Sequence, residues 1–144
     1  MIDMIHRRGI SGTRGLAAAA LGAALLLSSG CSTVHWRPDL GGALRMAGER
    51  NTIVVVAYWS TFNKECWDME TQVFTHPDVE TALRSTIPVR LDAWSNKKFA
   101  EEYGVRKVPT FIIFAPDGRV LRTSEGFLNE GRFRGMIEAA RLSG

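Results

Sequence analysis

Cysteine is scarce in this chain. Two cysteines among 144 residues cannot hold a disulfide-rich scaffold. Excess charge is scarce as well: 18 Lys and Arg face 15 Asp and Glu, a net of +3. That balance excludes a disordered polyelectrolyte and gives no support for a dedicated nucleic-acid binder. No apolar run approaches the roughly 20 residues that a membrane-spanning helix needs. There is no Gly-rich phosphate loop, no Ser/His/Asp set and no paired carboxylates. His35, His76 and Cys66 match no standard ligand spacing, so neither a metal nor another cofactor is expected. What is present is an ordinary globular composition, 45% hydrophobic and 23% charged. The length suits one domain.

Part of that length is an address. Arg7, Arg8 and Arg14 form a basic start, Leu16 to Leu27 an apolar run of Ala and Leu, and Ser28 to Gly30 a small-residue end. This order reads as a secretory signal over residues 1–30. Leu27-Ser28-Ser29-Gly30-Cys31 resembles a bacterial lipobox. The resemblance implies cleavage before Cys31 and lipid on its sulfur. Ser32 in the next place implies the outer rather than the inner membrane. The chain is thus expected in a bacterial envelope, facing the periplasm and held to the membrane by Cys31. Residues 31–38 read as a lipidated tether and 39–144 as the folded domain. Removing the signal leaves 15 basic and 14 acidic residues, so nothing steers the protein to nucleic acid. Lipidation would also leave Cys66 as the one thiol.

The domain reads as alternating helices and strands. Asp39 is a helix cap, followed by Leu40, Leu44 and Ala47 at helical spacing. Residues 52–59 are β-branched and aromatic without charge, the pattern of a strand buried on both faces. A helix is expected over 66–74, with Met69, Gln72 and Val73 on one side, and a short one from Pro77 to Leu83. Ile87 to Leu91 reads as a strand. A helix capped by Asn96 and ended by Gly104 comes next. Thr110 to Ala115 and Val120 to Glu125 make a hairpin across Pro116-Asp117-Gly118. A closing helix spans 130–142, with Phe133, Ile137 and Ala140 toward the core. The fold class is α/β: a central mixed sheet with helices on both faces. Strands separated by helices are expected parallel, and the last pair antiparallel.

Cys66-Trp67-Asp68-Met69-Glu70, Val73-Phe74 and Pro77-Asp78-Val79 stand in an order that resembles the thioredoxin-like family. The resemblance is to domains related to the C-terminal domain of the membrane electron-transfer protein DsbD. Tyr103-Gly104-Val105-Arg106-Lys107-Val108-Pro109-Thr110-Phe111 is similar to the family's segment around its cis-proline. The resemblance covers residues 39–142 and implies a thioredoxin fold, a cis Pro109 and thiol–disulfide chemistry. It also shows what is missing. Where thioredoxins read F-W-A-x-W-C-x-x-C, this chain reads Tyr58-Trp59-Ser60-Thr61-Phe62-Asn63-Lys64-Glu65-Cys66. Asn63 takes the first cysteine's place and Cys66 the second. The family's buried acid would fall at Ala57.

Exchange needs a thiolate to attack and a second thiol to resolve the mixed disulfide. Asn63 can cap a helix and hydrogen-bond, but it cannot form a disulfide. Two-thiol turnover within one molecule is excluded, and whether the chain is an enzyme stays open. In one reading it is a binding module, an adaptor or holdase for unfolded or thiol-containing segments of envelope proteins. Its groove would be formed by Trp59, Phe62, Asn63, Val108, Pro109 and Thr110. In a second, Cys66 works as a monothiol, in mixed disulfides or oxidant sensing. In a third, Cys66 is a small buried hydrophobe.

Overall fold

Three successive valines set the centre of the sheet. The computed structural model describes residues 34–144, in which Val54 to Val56 open a strand, β1 (Val54–Trp59), buried along its whole length. Around it the order is α1 (Leu40–Arg50), β1, α2 (Lys64–Asp68), a π-helical turn (Met69–Val73), α3 (Pro77–Arg84), β2 (Ile87–Asp92), α4 (Lys97–Tyr103), β3 (Thr110–Phe114), β4 (Val120–Glu125) and α5 (Glu130–Arg141). The signal reading over residues 1–30 and the lipidation site Cys31 lie outside the described residues.

The strands lie in the order β2-β1-β3-β4. Alternation along β1 divides the core. Val55, Ala57 and Trp59 face a cluster with Cys66, Met69 and Phe133, under α2, α3 and α5. Val54, Val56 and Tyr58 face Ala43, Ala47 and Phe99, under α1 and α4. Helices on both faces are what a central strand with no polar side requires. The expected core positions of α5, Phe133, Ile137 and Ala140, are all buried. Asp39 caps α1, its carboxylate accepting from the Gly42 N–H at 2.8 Å.

β1 and β2 are parallel, as expected, and β3 and β4 are antiparallel. β3, however, runs antiparallel to β1, with Thr110 opposite Tyr58. The expectation that all helix-separated strands are parallel fails here, because a helix between two strands permits a parallel crossover without requiring one. α4 has seven residues and spans about 10 Å, half of the roughly 20 Å that a six-residue strand runs. The coil on either side of it does not carry the chain to the far end, and β3 enters the sheet from the end where β2 leaves it.

Three local expectations also change. The helix expected over 66–74 is α-helical only through Asp68. The Phe74 N–H then reaches five residues back, to the Met69 carbonyl at 2.9 Å. The wider turn keeps Met69 and Val73 buried but carries Gln72 into solvent. Asn96 precedes α4 without a side-chain cap; its amide donates to the Asp92 carbonyl at 2.9 Å instead. Residues 31–38 are not a free tether over their described part. The Arg37 N–H donates to the Pro88 carbonyl, and its carbonyl accepts from Arg90, each at 2.9 Å. The Trp36 ring lies 5.1 Å from that of Phe74. An aromatic contact and a strand-like bridge place the domain's start before residue 39.

Candidate functional site

β1 delivers the chain to one end of the sheet, where the loop Ser60 to Asn63 turns into α2. Asn63 is the helix cap, in extended backbone, with its side-chain oxygen accepting from the Cys66 N–H at 3.0 Å. A short carbonyl side chain at this place satisfies a donor that the first turn cannot. Cys66 sits one turn in. It is a free thiol with none of its surface exposed. Burial pushes its pKa up from the ordinary value, and the neighbouring Glu65 adds to the rise. A hydrogen bond from the Ser60 backbone and the charge of Arg90 pull the other way, and burial prevails.

Sequence reasoning missed Arg90. Its guanidinium lies between two indoles, 4.5 Å from the ring centres of both Trp36 and Trp59. It also pairs with Glu70 of the π-helical turn at 2.6 Å. The available signal was a single charge inside the otherwise apolar run Ile87 to Leu91. Trp59 was expected in the groove. The structure buries it, 5% exposed, where its ring stacks on Arg90 and packs near Phe74. Ala57, in the place of the family's acid, is also fully buried and brings no carboxylate to Cys66.

The second strip of the site enters from β3. The Val108–Pro109 peptide bond is cis. The Pro109 carbonyl accepts from the Gly126 N–H at 2.7 Å. The Thr110 hydroxyl donates to the Lys107 carbonyl at 2.8 Å. Pro109 and Thr110 are buried, so their side chains do not line a groove. Val108 is half-buried, and its main chain carries no hydrogen bond within the described residues. Of the six expected groove residues, three present surface at this end: Phe62, almost fully exposed, Asn63 and Val108.

No cluster of His, Cys, Asp and Glu among the described residues is arranged to hold a metal ion. His76 caps α3 through Nδ1, which accepts from the Asp78 N–H at 3.3 Å. No described helix is long and apolar enough to cross a membrane.

The family model of the thioredoxin-like domain matches residues 40–141. The chain belongs to that family. A thioredoxin from Thermus thermophilus superposes with a TM-score of 0.68 at 22% identity, over 78% of this chain and 90% of its own. The oxidised C-terminal domain of DsbD from Neisseria meningitidis superposes at 0.65 and 21% identity, over 74% of this chain and 100% of that one. The thiol:disulfide interchange protein DsbD 2 of Pseudomonas aeruginosa is 31% identical over 118 residues. That match takes in 78% of this chain, which spans about a fifth (20%) of the relative's length.

In this thioredoxin-like domain Asn63 supports the fold as well as occupying the site. Asn63→Ala should lower stability by about 1 kcal/mol through loss of the cap. A urea titration checks it: the midpoint falls while the slope stays unchanged.

Proposed function

We propose that this chain is a binding module of the bacterial envelope, a thioredoxin-like domain in which two-thiol exchange has been lost. One observation carries the reading: the position at the start of α2 is Asn63, and the remaining thiol behind it is fully buried. A thiol without solvent contact and with a raised pKa is a poor nucleophile. Recognition would use the main chain. Among the described residues Val108 leaves its main-chain groups without partners, at the end of the molecule that holds exposed Phe62 and half-buried Asn63, and an extended polypeptide can pair with such a strip without any thiol. Envelope location is supported by the DsbD relative and by the signal-like start of the sequence. Lipid on Cys31 would hold the module at a membrane, the outer one by the residue at position 32.

A monothiol role for Cys66 has one observation in its favour, the Arg90 charge that opposes the rise in pKa. Burial outweighs it. Capture of envelope proteins on the native chain and on Cys66→Ala separates the two readings. A binding module retains the same partners on both, with and without reductant. Loss of the partners with Cys66→Ala, or on adding reductant, would establish the monothiol instead.

A further inference from the structure

The segment before α1 is tied to one border of the sheet. Arg37 is bridged to Val89 of the outer strand β2, its N–H donating to the Pro88 carbonyl at 2.9 Å. The Trp36 ring is held by Phe74 and the Arg90 guanidinium, and Val34 packs against the same core cluster as Phe74. From Val34 onward the chain therefore belongs to the folded domain. Cys31 stands three residues before Val34, and three residues reach about 11 Å when fully extended. A lipid carried by Cys31 would bring the bilayer surface close to the β2 border.

The same border ends in an exposed tryptophan. The large apolar side chains exposed on the described surface are Phe62, Trp67, Trp94, Val120, Phe127 and Leu142. Of these, Trp94 alone adjoins β2, two residues beyond the strand's last residue, Asp92. Trp94 is 82% exposed, yet its backbone is held firmly. The Asp92 carboxylate oxygen Oδ1 accepts from the N–H groups of Trp94 and Ser95, both at 3.1 Å, and from the Ser95 hydroxyl at 3.2 Å. Lys97 Nζ lies 4.8 Å from the centre of the indole. Val89, where the early segment is bridged, and Trp94 are five residues apart in sequence, about 16 Å when extended. One flat surface can meet both the point where the lipid enters and the Trp94 turn.

The chemistry of this turn suits the headgroup layer. An indole has an apolar body and one N–H, and it settles where lipid meets water. A lysine beside it covers apolar surface with its stem and keeps its ammonium in water. A side chain presented on a prefolded turn costs little further ordering when the surface arrives. Charge does not choose the kind of lipid. Lys97 and Lys98 are followed one turn along α4 by Glu101 and Glu102, and Arg37 is followed by Asp39. That balance fits a zwitterionic layer.

We propose that the β2 border is the face of the domain that meets the membrane, with Trp94 as a second contact beside the lipid on Cys31. The proposal rests on the lipid-anchor part of the proposed function and adds how the domain is oriented on the bilayer. Two attachments hold a protein on a membrane more firmly than one. The sheet then stands with β2 toward the lipid and β4 away from it. The strip with Phe62, Asn63 and Val108 opens along the membrane plane, within reach of a polypeptide.

The test uses the protein purified from membranes and reconstituted in phosphatidylcholine vesicles, with and without phosphatidylcholine brominated near the headgroup. Intact mass reads separately whether Cys31 carries lipid. In the lipidated protein, bromine should quench part of the tryptophan emission. Trp94→Ala should lose most of that quenching, and Trp67→Ala should keep it. Absence of quenching, or quenching that survives Trp94→Ala, would overturn the proposal and leave the anchor standing. Quenching lost with Trp67→Ala in place of Trp94→Ala would also overturn it, and would turn α2 toward the lipid. A mass without lipid on Cys31 would overturn the anchor reading, and the orientation with it.

Discussion

Iodoacetamide at about pH 8 should leave Cys66 unmodified in the native protein and alkylate it fully once the chain is unfolded in denaturant. The expected difference in rate is about a thousandfold or more, because reaction has to wait for an opening that costs a large part of the folding free energy. Two features act together. None of the cysteine's surface is exposed, and burial raises its pKa above the ordinary 9.0. The sign of the linked stability effect follows. The native thiol keeps its proton to higher pH than the unfolded thiol does. Below the unfolded pKa both states are protonated and nothing is lost. As pH rises past about 9, the unfolded chain ionises first and stability falls. Cys66→Ala should lack this alkaline loss, which urea titrations on both sides of that pH would show. Rapid alkylation of the native protein at neutral pH would overturn the burial argument and the binding-module reading with it.

Phe74→Ala is expected to cost about 4 kcal/mol, among the largest losses available to a single substitution here. Its ring lies 5.1 Å from Trp36, 5.6 Å from Trp59, 5.4 Å from Phe133 and 6.3 Å from Phe111. It therefore joins the segment before α1, the last residue of β1, α5 and β3. Removing it leaves a cavity lined by rigid rings that cannot collapse into the space, and each ring also loses an edge or tilted partner. Thermal or urea unfolding reads the loss directly. A cost near 1 kcal/mol would mean that the rings repack more freely than this arrangement allows. In a domain of ordinary marginal stability the predicted loss is a large share of the total.

Most of the fold was legible where local pattern and packing agree. The valine run of β1, the Asp39 cap, the αL Gly104 at φ 65° and the Pro116-Asp117-Gly118 turn each depend on nearby residues. So does the Asn63 cap. The direction of β3 was not legible, because a connection containing one short helix allows either direction, and the one taken depends on how α4 and the coil around it lie on the sheet rather than on the pattern of either strand. Gln72 was misplaced because apolar spacing was read on a 3.6-residue period, and a π-helical turn does not keep it. The burial of Trp59 and the importance of Arg90 escaped for a shared reason. Each depends on the other and on Trp36, more than 20 residues away in sequence. A resemblance assigned Trp59 its register but could not tell which way its ring would turn.

The bridge at Arg37 has a further effect, on how copies of this chain behave toward one another. An outer strand usually offers its free amides and carbonyls as a template for another strand. On β2, Pro88 has no N–H to offer, its carbonyl is already taken by Arg37, and the Arg90 amide is taken as well. The opposite border, β4, is built from Val120-Leu121-Arg122-Thr123-Ser124-Glu125, with side chains mostly in water and charges of both signs. One border is stoppered and the other is polar, so a sheet whose two inner strands carry three buried valines and two buried isoleucines resists growing into aggregates by edge addition.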